Sequence, residues 1–240
     1  MQSKVNGGLV ALLFVALTAA AGCGSKDGAK LPTASISSES ESGQSRGDPS
    51  GQKPATDRLH PIVVFHIARG DAILGDIRVK LDAENAPLTV DNFLYYIEQG
   101  QYDNTLFHQV STKPIAVILG GGYDTFGNEK PCHRPPIRNE AHNGLKNRRG
   151  TIAMARRPDS IDSSTAQFFV NLSDNPDLDH KKPVDFKKPT AAGYGYCVFG
   201  EVVAGMEIAD QIGHAPVHNT AKLASTPVEP VVIKSVQVMR

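Results

Sequence analysis

"NFLYYIEQGQYDNTLFHQV", residues 92–110, decides the fold, because a helical pattern gives way within it to a strand pattern. In its first half, Phe93, Leu94 and Ile97 recur at the spacing of a helix that buries one face. Gly100 can end that helix, since glycine adopts the left-handed conformation found at helix C-termini. The run TLFHQV that follows is short and rich in strand-forming residues, so it predicts a β-strand.

Similar strand-like runs recur on both sides of this stretch. Before it lie PIVVFHIA (61–68) and AILGDIRVKL (72–81). After it come IAVILG, GTIAMA, AQFFVNL, YCVFGEVV and PVVIKSVQVM, with one further helical segment, GMEIADQIG. Many short strands with only two helices predict a closed or nearly closed antiparallel barrel, whose ends the helices plug.

Length and charge narrow the function classes. The chain has 240 residues, enough for one domain and a tail, and 40% of them are hydrophobic. Its 25 basic and 25 acidic residues cancel, so no overall field favours nucleic acid or an acidic membrane.

The N-terminus reads as a targeting segment. Lys4 precedes an apolar run at 9–21, which is too short to span a bilayer as a mature helix but suits a signal peptide over residues 1–22. The run ends in TAAAGCGS, which resembles the lipidation motif of bacterial lipoproteins and predicts lipid attachment at Cys23. An ordinary cleavable signal with an incidental cysteine is the alternative.

The next segment, 23–59, is dominated by Ser, Gly, Pro and charged residues without apolar periodicity. Such a composition cannot bury enough surface to offset the entropy lost on ordering, so it predicts a disordered linker. The folded domain is therefore expected over residues 60–240.

Five ordered blocks carry a specific resemblance. They are NFLYYIEQGQYDNTLFHQV, GGGY, NEAHNGLKNRRGTIAMAR, STAQFFVN and GYGYCVFGEVVAGMEIADQI. Together they resemble the cyclophilins, most closely the exported bacterial members, from about Val63 to Val238. The resemblance implies a mainly β fold, a closed eight-stranded antiparallel barrel capped by two α-helices, in agreement with the pattern of strands and helices.

The resemblance also implies an activity, cis/trans isomerisation of X-Pro peptide bonds. That reaction has a barrier of about 18–20 kcal/mol and needs no covalent step and no cofactor, only tighter binding of the twisted amide. The expected partners are proline-containing peptides or unfolded exported proteins, met by a monomer that touches the membrane only through its lipid. The expected location is the bacterial cell envelope, outside the cytoplasm.

One half of the family's site is matched residue by residue. Gln167 and Phe169 fit the glutamine and the pocket-floor phenylalanine of the family's Q-F-F block. Leu178 fits a pocket-wall leucine, and Tyr196 lies where many members have histidine. The strand that pairs with the substrate backbone is matched at Ala155 and Arg156.

The other half departs from the family. The F-H-R-V block appears as FHQV, so Phe107 is kept while Gln109 replaces the catalytic arginine. The segment after it is two residues longer than the family's. Aligned on its glycines, Ala116, Val117 and Leu119 replace a phenylalanine, a methionine and a supporting glutamine, with the position of the extra residues left open.

These departures predict reduced activity, because hydrogen bonds from a charged donor are worth about 1.5–3 kcal/mol against about 1 for a neutral one. A loss of about 1–3 kcal/mol slows turnover roughly 5- to 150-fold. A proline-peptide binding module with negligible catalysis is the alternative, favoured by Gln109 and opposed by Gln167, Phe169 and Leu178.

Other motifs point to simpler explanations. HAPVH at 214–218 has two histidines four apart, but Pro216 breaks a helical pair, so no metal site is expected. The GGG at 120–122 lacks the G-K-[ST] of a phosphate loop. Cys132 and Cys197 are expected as free thiols, with a disulfide as the alternative.

Overall fold

The computed structural model describes residues 59–181 and 190–239. The predicted signal peptide (1–22), the lipidation site Cys23 and all of the predicted linker except Leu59 lie outside the described residues and remain predictions.

Eight strands form one closed antiparallel barrel, in the order β1-β10-β3-β4-β6-β5-β7-β2. The sequence-based prediction of a closed eight-stranded barrel is therefore confirmed. The strands are β1 Ile62–Arg69, β2 Ala72–Leu81, β3 Thr105–Ser111, β4 Val117–Asp124, β5 Thr151–Met154, β6 Phe168–Asn171, β7 Val198–Ala204 and β10 Val231–Val238.

A two-stranded ribbon, β8 Val217–His218 with β9 Thr226–Pro227, lies outside the barrel and was not predicted. It is anchored to β3 by two hydrogen bonds. The Val110 amide donates to the Ser225 carbonyl at 2.9 Å, and the Thr226 hydroxyl donates to the His108 carbonyl at 2.9 Å.

Helix α1, Pro87–Glu98, confirms the first predicted helix, with proline in its first turn. Its N-cap residue, Ala86, has no polar side chain that could accept hydrogen bonds from the free amides of that turn. Glu140 supplies this cap from a distant loop, since its carboxylate accepts from the Leu88 and Thr89 amides at 3.2 and 2.9 Å.

Two further helical segments follow. The second predicted helix is α3, Met206–Gly213, which begins after Gly205 in the left-handed conformation (φ 86°). A single helical turn, α2, spans Ala191–Tyr194. Across residues 59–181 and 190–239, no helix is both long and apolar enough to cross a membrane.

The barrel interior is an aromatic core that α1 closes from one side. The Phe93 ring of α1 lies 5.0 Å from Phe199, 5.8 Å from Phe168 and 6.2 Å from Phe65, between ring centroids. Burial of large apolar side chains is the main contribution to stability in a barrel of this size.

Candidate functional site

One row of side chains crosses four neighbouring strands on the outside of the barrel. Gln109 of β3 pairs with Leu119 of β4, Leu119 with Phe169 of β6, and Phe169 with Ala153 of β5. Directly paired residues share a face of the sheet, and neighbouring strands lie about 4.8 Å apart. Gln109 and Phe169 therefore stand on the same face, about 10 Å apart at the backbone.

An apolar floor surrounds Phe169. The Tyr196 ring lies 5.7 Å from the Phe169 ring, nearly perpendicular to it. Val117 faces the same side of β4 as Leu119, two residues away. Leu178 is buried in the short 3₁₀ turn Pro176–Leu178. A backbone hydrogen bond ties it to the floor, since its carbonyl accepts from the Tyr196 amide at 2.9 Å.

Gln167 borders this floor, immediately before β6. A Cβ added at Gly122 would stand 2.5 Å from the Gln167 Cδ, so the amide side chain lies directly on the Gly122 backbone. The Gln167 carbonyl accepts from the Ala155 amide at 2.9 Å. Glycine at 122 therefore makes room for the Gln167 side chain. The backbone bond between Ala155 and Gln167 places these two residues side by side.

Phe107 does not join these residues. It pairs with Gly120, which pairs in turn with Phe168, and both phenylalanine rings lie in the core inside the barrel. Only 1% of Phe107 is exposed. We therefore correct the expectation that Phe107 contacts substrate: its ring packs in the core, and an irregularity in the β3–β4 ladder between Phe107 and Gln109 places Gln109, two residues further on, in the outer row instead of on the same face.

The β3–β4 ladder is regular next to the connection at 112–116. Val110 pairs with Ile118 and Ser111 with Val117, while register shifts lie further along, between Thr105 and Phe107 and between Phe107 and Gln109. Ala116 ends that connection and is half-buried. The assignment of Ala116, Val117 and Leu119 to family positions remains a prediction.

Gln109 is half-buried and has an apolar neighbour, Leu119, on one side. Within residues 59–181 and 190–239, no side chain or backbone group hydrogen-bonds to its amide. The donor that would face a substrate is therefore neutral and is not held in one orientation.

Arg156 does not replace the missing cation. Its guanidinium stacks over the Tyr196 ring at 4.6 Å, and its nitrogens donate to the carbonyls of Gly195, Ala191 and Arg157 at 2.9, 2.5 and 2.9 Å. Burial lowers the pKa of Arg156, opposed by the nearby Tyr196, and burial raises the pKa of Tyr196. Arg156 thus holds the α2 turn and Tyr196 in place.

His108, the neighbour of Gln109 in sequence, supplies no cation either. It is 1% exposed and its ring packs against Tyr123, with 4.7 Å between ring centroids. Burial lowers its pKa to about 4, opposed only weakly by the nearby Leu106 backbone. Neither ring nitrogen has a hydrogen-bond partner of good geometry among the described residues. The imidazole is therefore neutral at neutral pH.

Sequence reasoning missed a group of buried asparagines behind the floor. Asn147, Asn171 and Asn175 hydrogen-bond to one another and to backbone groups of Ala116, Leu178 and Tyr196. Asparagines are common in loops, and only the short spacing in NLSDN, at 171–175, could have indicated that two of them lie near each other, one at the end of β6 and one after it. The two domain cysteines are free thiols, Cys132 exposed and Cys197 buried.

The outer row combines an apolar floor, a glutamine at each of two borders and, at Ala155 and Arg156, half-buried residues after β5. Such a surface can hold a small apolar ring and present neutral hydrogen-bond donors to an adjoining amide. It contains no activated nucleophile, and a closed antiparallel barrel with this outer groove defines the cyclophilin class.

Comparison with known proteins agrees. The family described as "Cyclophilin type peptidyl-prolyl cis-trans isomerase/CLD" matches residues 64–238. The chain belongs to the cyclophilin-type peptidyl-prolyl cis-trans isomerase family.

Bacterial relatives are similar over most of their length. The chain is 42% identical over 177 residues to peptidyl-prolyl cis-trans isomerase B of Escherichia coli, covering 74% of this chain and 99% of that protein. It is 41% identical over 166 residues to peptidyl-prolyl cis-trans isomerase A of Dickeya dadantii, covering 69% and 80%.

Among solved structures, the chain is similar to a cyclophilin type peptidyl-prolyl cis-trans isomerase of Cryptosporidium parvum. The TM-score is 0.56 at 22% identity, covering 75% of this chain and 98% of that one. A second structure of that protein, obtained in the presence of the dipeptide Ala-Pro, has the same TM-score at 23% identity. These two likenesses show the fold.

Proposed function

We propose that this protein catalyses cis/trans isomerisation of X-Pro bonds in exported proteins, at a rate lowered by the neutral donor at Gln109. The observation that carries the proposal is the outer row in which Gln109, Leu119 and Phe169 share one face. The chain's similarity to bacterial proteins named peptidyl-prolyl cis-trans isomerases supports it.

The mechanism follows from the chemistry of the amide. Rotation about the C–N bond destroys amide resonance, which is the source of its barrier of about 18–20 kcal/mol. In the twisted state the prolyl nitrogen regains a lone pair and accepts a hydrogen bond that neither planar form can accept. A donor placed at that nitrogen therefore binds the transition state more tightly than the ground states.

Different residues bind the proline ring, hold the flanking peptide and donate to the prolyl nitrogen. Phe169, with Tyr196 beside it, holds the proline ring on the apolar floor. The backbone after β5, at Ala155 and Arg156, and the amide of Gln167 hold the flanking peptide. Gln109 then donates to the twisted nitrogen from two strands away.

The rate is reduced for two reasons. A neutral amide donates a weaker hydrogen bond than a guanidinium, by about 1–2 kcal/mol. Leu119 beside it offers no polar atom to orient the amide, so part of the binding energy is lost in ordering it. Together these effects predict a rate roughly 10- to 100-fold below that of a relative with arginine.

The test measures cis/trans exchange of the X-Pro bond in a proline tetrapeptide. The protein is the fragment 60–240, and the exchange rate is obtained from NMR line shapes of the peptide. Line shapes register slow exchange that a protease-coupled assay misses. We expect exchange above background, enhanced in Gln109→Arg. If neither protein exceeds background, the isomerase proposal is wrong.

The proposed location is the bacterial cell envelope, with the domain outside the cytoplasm on a lipid at Cys23. The support is the small-residue run that ends at this cysteine after the apolar segment 9–21. Labelling of cells with a radioactive fatty acid should mark the wild-type protein and not Cys23→Ala. Equal labelling of both, or of neither, contradicts lipidation.

A second candidate function is proline-peptide binding without useful catalysis, which the unanchored amide of Gln109 favours. Titration of the same tetrapeptide, followed by amide chemical shifts, separates the two. Binding at Phe169 and Tyr196 without exchange in either variant identifies a binding module.

A further inference from the structure

Three buried asparagines form a continuous chain behind the outer groove. Asn171 is 0% exposed, Asn147 2% and Asn175 4%. The Asn175 Nδ2 donates to the Asn171 Oδ1 at 2.8 Å, and the Asn171 Nδ2 donates to the Asn147 Oδ1 at 3.3 Å. The backbone N–H of Asn175 also donates to the backbone carbonyl of Asn147 at 2.8 Å, so the first and last asparagines are linked directly as well.

One end of the chain holds Ala116. The Asn175 Oδ1 accepts from the Ala116 amide at 3.1 Å, and the Asn175 Nδ2 donates to the Ala116 carbonyl at 3.1 Å. This pair of bonds fixes both polar groups of one peptide residue. Ala116 is the last residue of the connection between β3 and β4.

The other end holds Leu178 and Tyr196. The Asn147 Nδ2 donates to the Leu178 carbonyl at 3.1 Å and to the Tyr196 carbonyl at 3.4 Å. These residues belong to two segments far apart in sequence from Ala116. The asparagine chain thus joins three separate segments that border the floor around Phe169.

The chemistry explains why these positions need side-chain amides. Buried backbone groups in irregular segments must be satisfied by other backbone groups, side chains or water. The Ala116 and Leu178 carbonyls each accept one backbone amide, from Leu172 and Tyr196 at 2.9 Å, and a second hydrogen bond from an asparagine side chain. An asparagine offers a donor and an acceptor in one rigid plane, so it can match a peptide group and a second asparagine together. Among the described residues, no polar atom of these three side chains is buried without a partner. A fully satisfied buried network specifies one arrangement.

We propose that Asn147, Asn171 and Asn175 are positioning residues, which set the separation between the Ala116 border and the Leu178–Tyr196 border of the substrate groove. This inference rests on the proposed function. A displacement of about 1 Å in a catalytic arrangement can reduce the rate about a hundredfold. Loss of the chain therefore reduces catalysis without removing any group that touches the substrate.

Asn171→Ala is the sharpest test, because it removes both side-chain bonds that link Asn147 and Asn175 through Asn171, leaving only the backbone bond between them, and it keeps the contacts of both borders intact. Asn175→Ser is the second variant, since it removes the paired bonds to Ala116. The matched control is Asn143→Ala, another loop asparagine, whose side chain bonds to the Val198 carbonyl at 2.9 Å and the Leu145 amide at 3.0 Å.

We expect kcat/KM to fall about tenfold in Asn171→Ala and up to about a hundredfold in Asn175→Ser, measured on folded protein. Asn143→Ala should lower the melting temperature by a similar amount and change kcat/KM less than about twofold. Amide hydrogen exchange at Ala116 should become faster in both chain variants and not in the control.

Each outcome decides the inference. If all three variants lose the same activity at the same loss of stability, the asparagines are only structural and the proposal is overturned. If wild type shows no exchange, the proposed function is wrong, and the inference then depends on the Kd of the tetrapeptide. A Kd that rises at least about fivefold in Asn171→Ala and Asn175→Ser but not in Asn143→Ala supports it, and equal Kd values overturn it.

Discussion

The two borders of the groove are built in different ways. The border at Leu178 and Tyr196 is held from behind by Asn147 and from the front by Arg156, whose guanidinium stacks on the tyrosine at 4.6 Å. The border at Gln109 has an apolar neighbour and no described hydrogen bond to its amide. One side is fixed by buried polar contacts, and the other is free to reorient.

The difference separates binding from catalysis. A floor fixed by packing and buried hydrogen bonds keeps its shape without substrate, so it binds a proline ring at little entropic cost. A donor without a fixed orientation has to be ordered at the moment of reaction, which lowers its effect on the transition state. On the proposed function, we therefore expect substitutions and substrate changes to show recognition retained better than rate.

The largest expected effect is on the floor. Phe169→Ala should destabilise the domain by about 3–5 kcal/mol and reduce peptide binding, because it removes a buried ring that also carries the proline. Urea unfolding and NMR titration measure the two effects.

The inward neighbour Phe168 is the matched control for Phe169. Phe168→Ala should cost a similar free energy of unfolding, while the folded fraction keeps most of its affinity for the tetrapeptide. Equal loss of affinity in both variants would show that the floor is not at Phe169.

The next effect is on stability near Gln109. Because the pKa of buried His108 is lowered to about 4, the unfolded chain binds a proton there that the folded chain does not, between pH 6.5 and 4. Above pH 6.5 this titration does not lower the free energy of unfolding. As the pH falls from 6.5 to about 4, the free energy of unfolding decreases by about 3 kcal/mol. Urea midpoints of wild type and His108→Gln at pH 7 and pH 4.5 measure it. A wild-type pH dependence unchanged in His108→Gln would contradict the assignment.

Gln109→Arg should raise kcat/KM by up to about thirtyfold if the whole charge contribution of about 1–2 kcal/mol is recovered. Gln109→Leu is the matched control, and it should lower kcat/KM by about fivefold because it removes the neutral donor. A much smaller gain in Gln109→Arg would show that the connection at 112–116 also misplaces the proline ring.

The smallest effect concerns the orientation of the donor. Leu119→Gln, added to Gln109→Arg, should raise kcat/KM by about a further fivefold, the value of one neutral hydrogen bond of about 1 kcal/mol. Alone it should change kcat/KM by less than about twofold, since two amides orient each other weakly. Line-shape analysis of the same tetrapeptide measures both. A gain that is equal in the two backgrounds would show that Leu119 does not act through residue 109.

The sequence by itself determined the barrel and most of its outer row. Period-two alternation and β-branched residues predict strands wherever one face is buried, and all eight barrel strands lie where the pattern indicated them. Helix α1 is equally readable, from Pro87 at its start and Gly100 beyond its end. The blocks around Gln167 and Phe169 carried the family, because those residue types occur at fixed offsets.

The sequence did not determine the orientation of Phe107. Its block matched the family, but only the β3–β4 pairing shows that its side chain points into the barrel. A local motif gives the identity of residues and not the face they occupy, since one irregularity in a ladder changes the alternation.

The tertiary structure also decided the polar contacts that span distant segments. Glu140 caps α1 from 51 residues away, and Asn175 holds Ala116 from 59 residues away. A pattern in sequence reports periodic burial, which is a local property of the chain. A buried polar group instead takes whichever partner the fold brings within about 3 Å, and that partner is set by the closed barrel rather than by neighbouring residues.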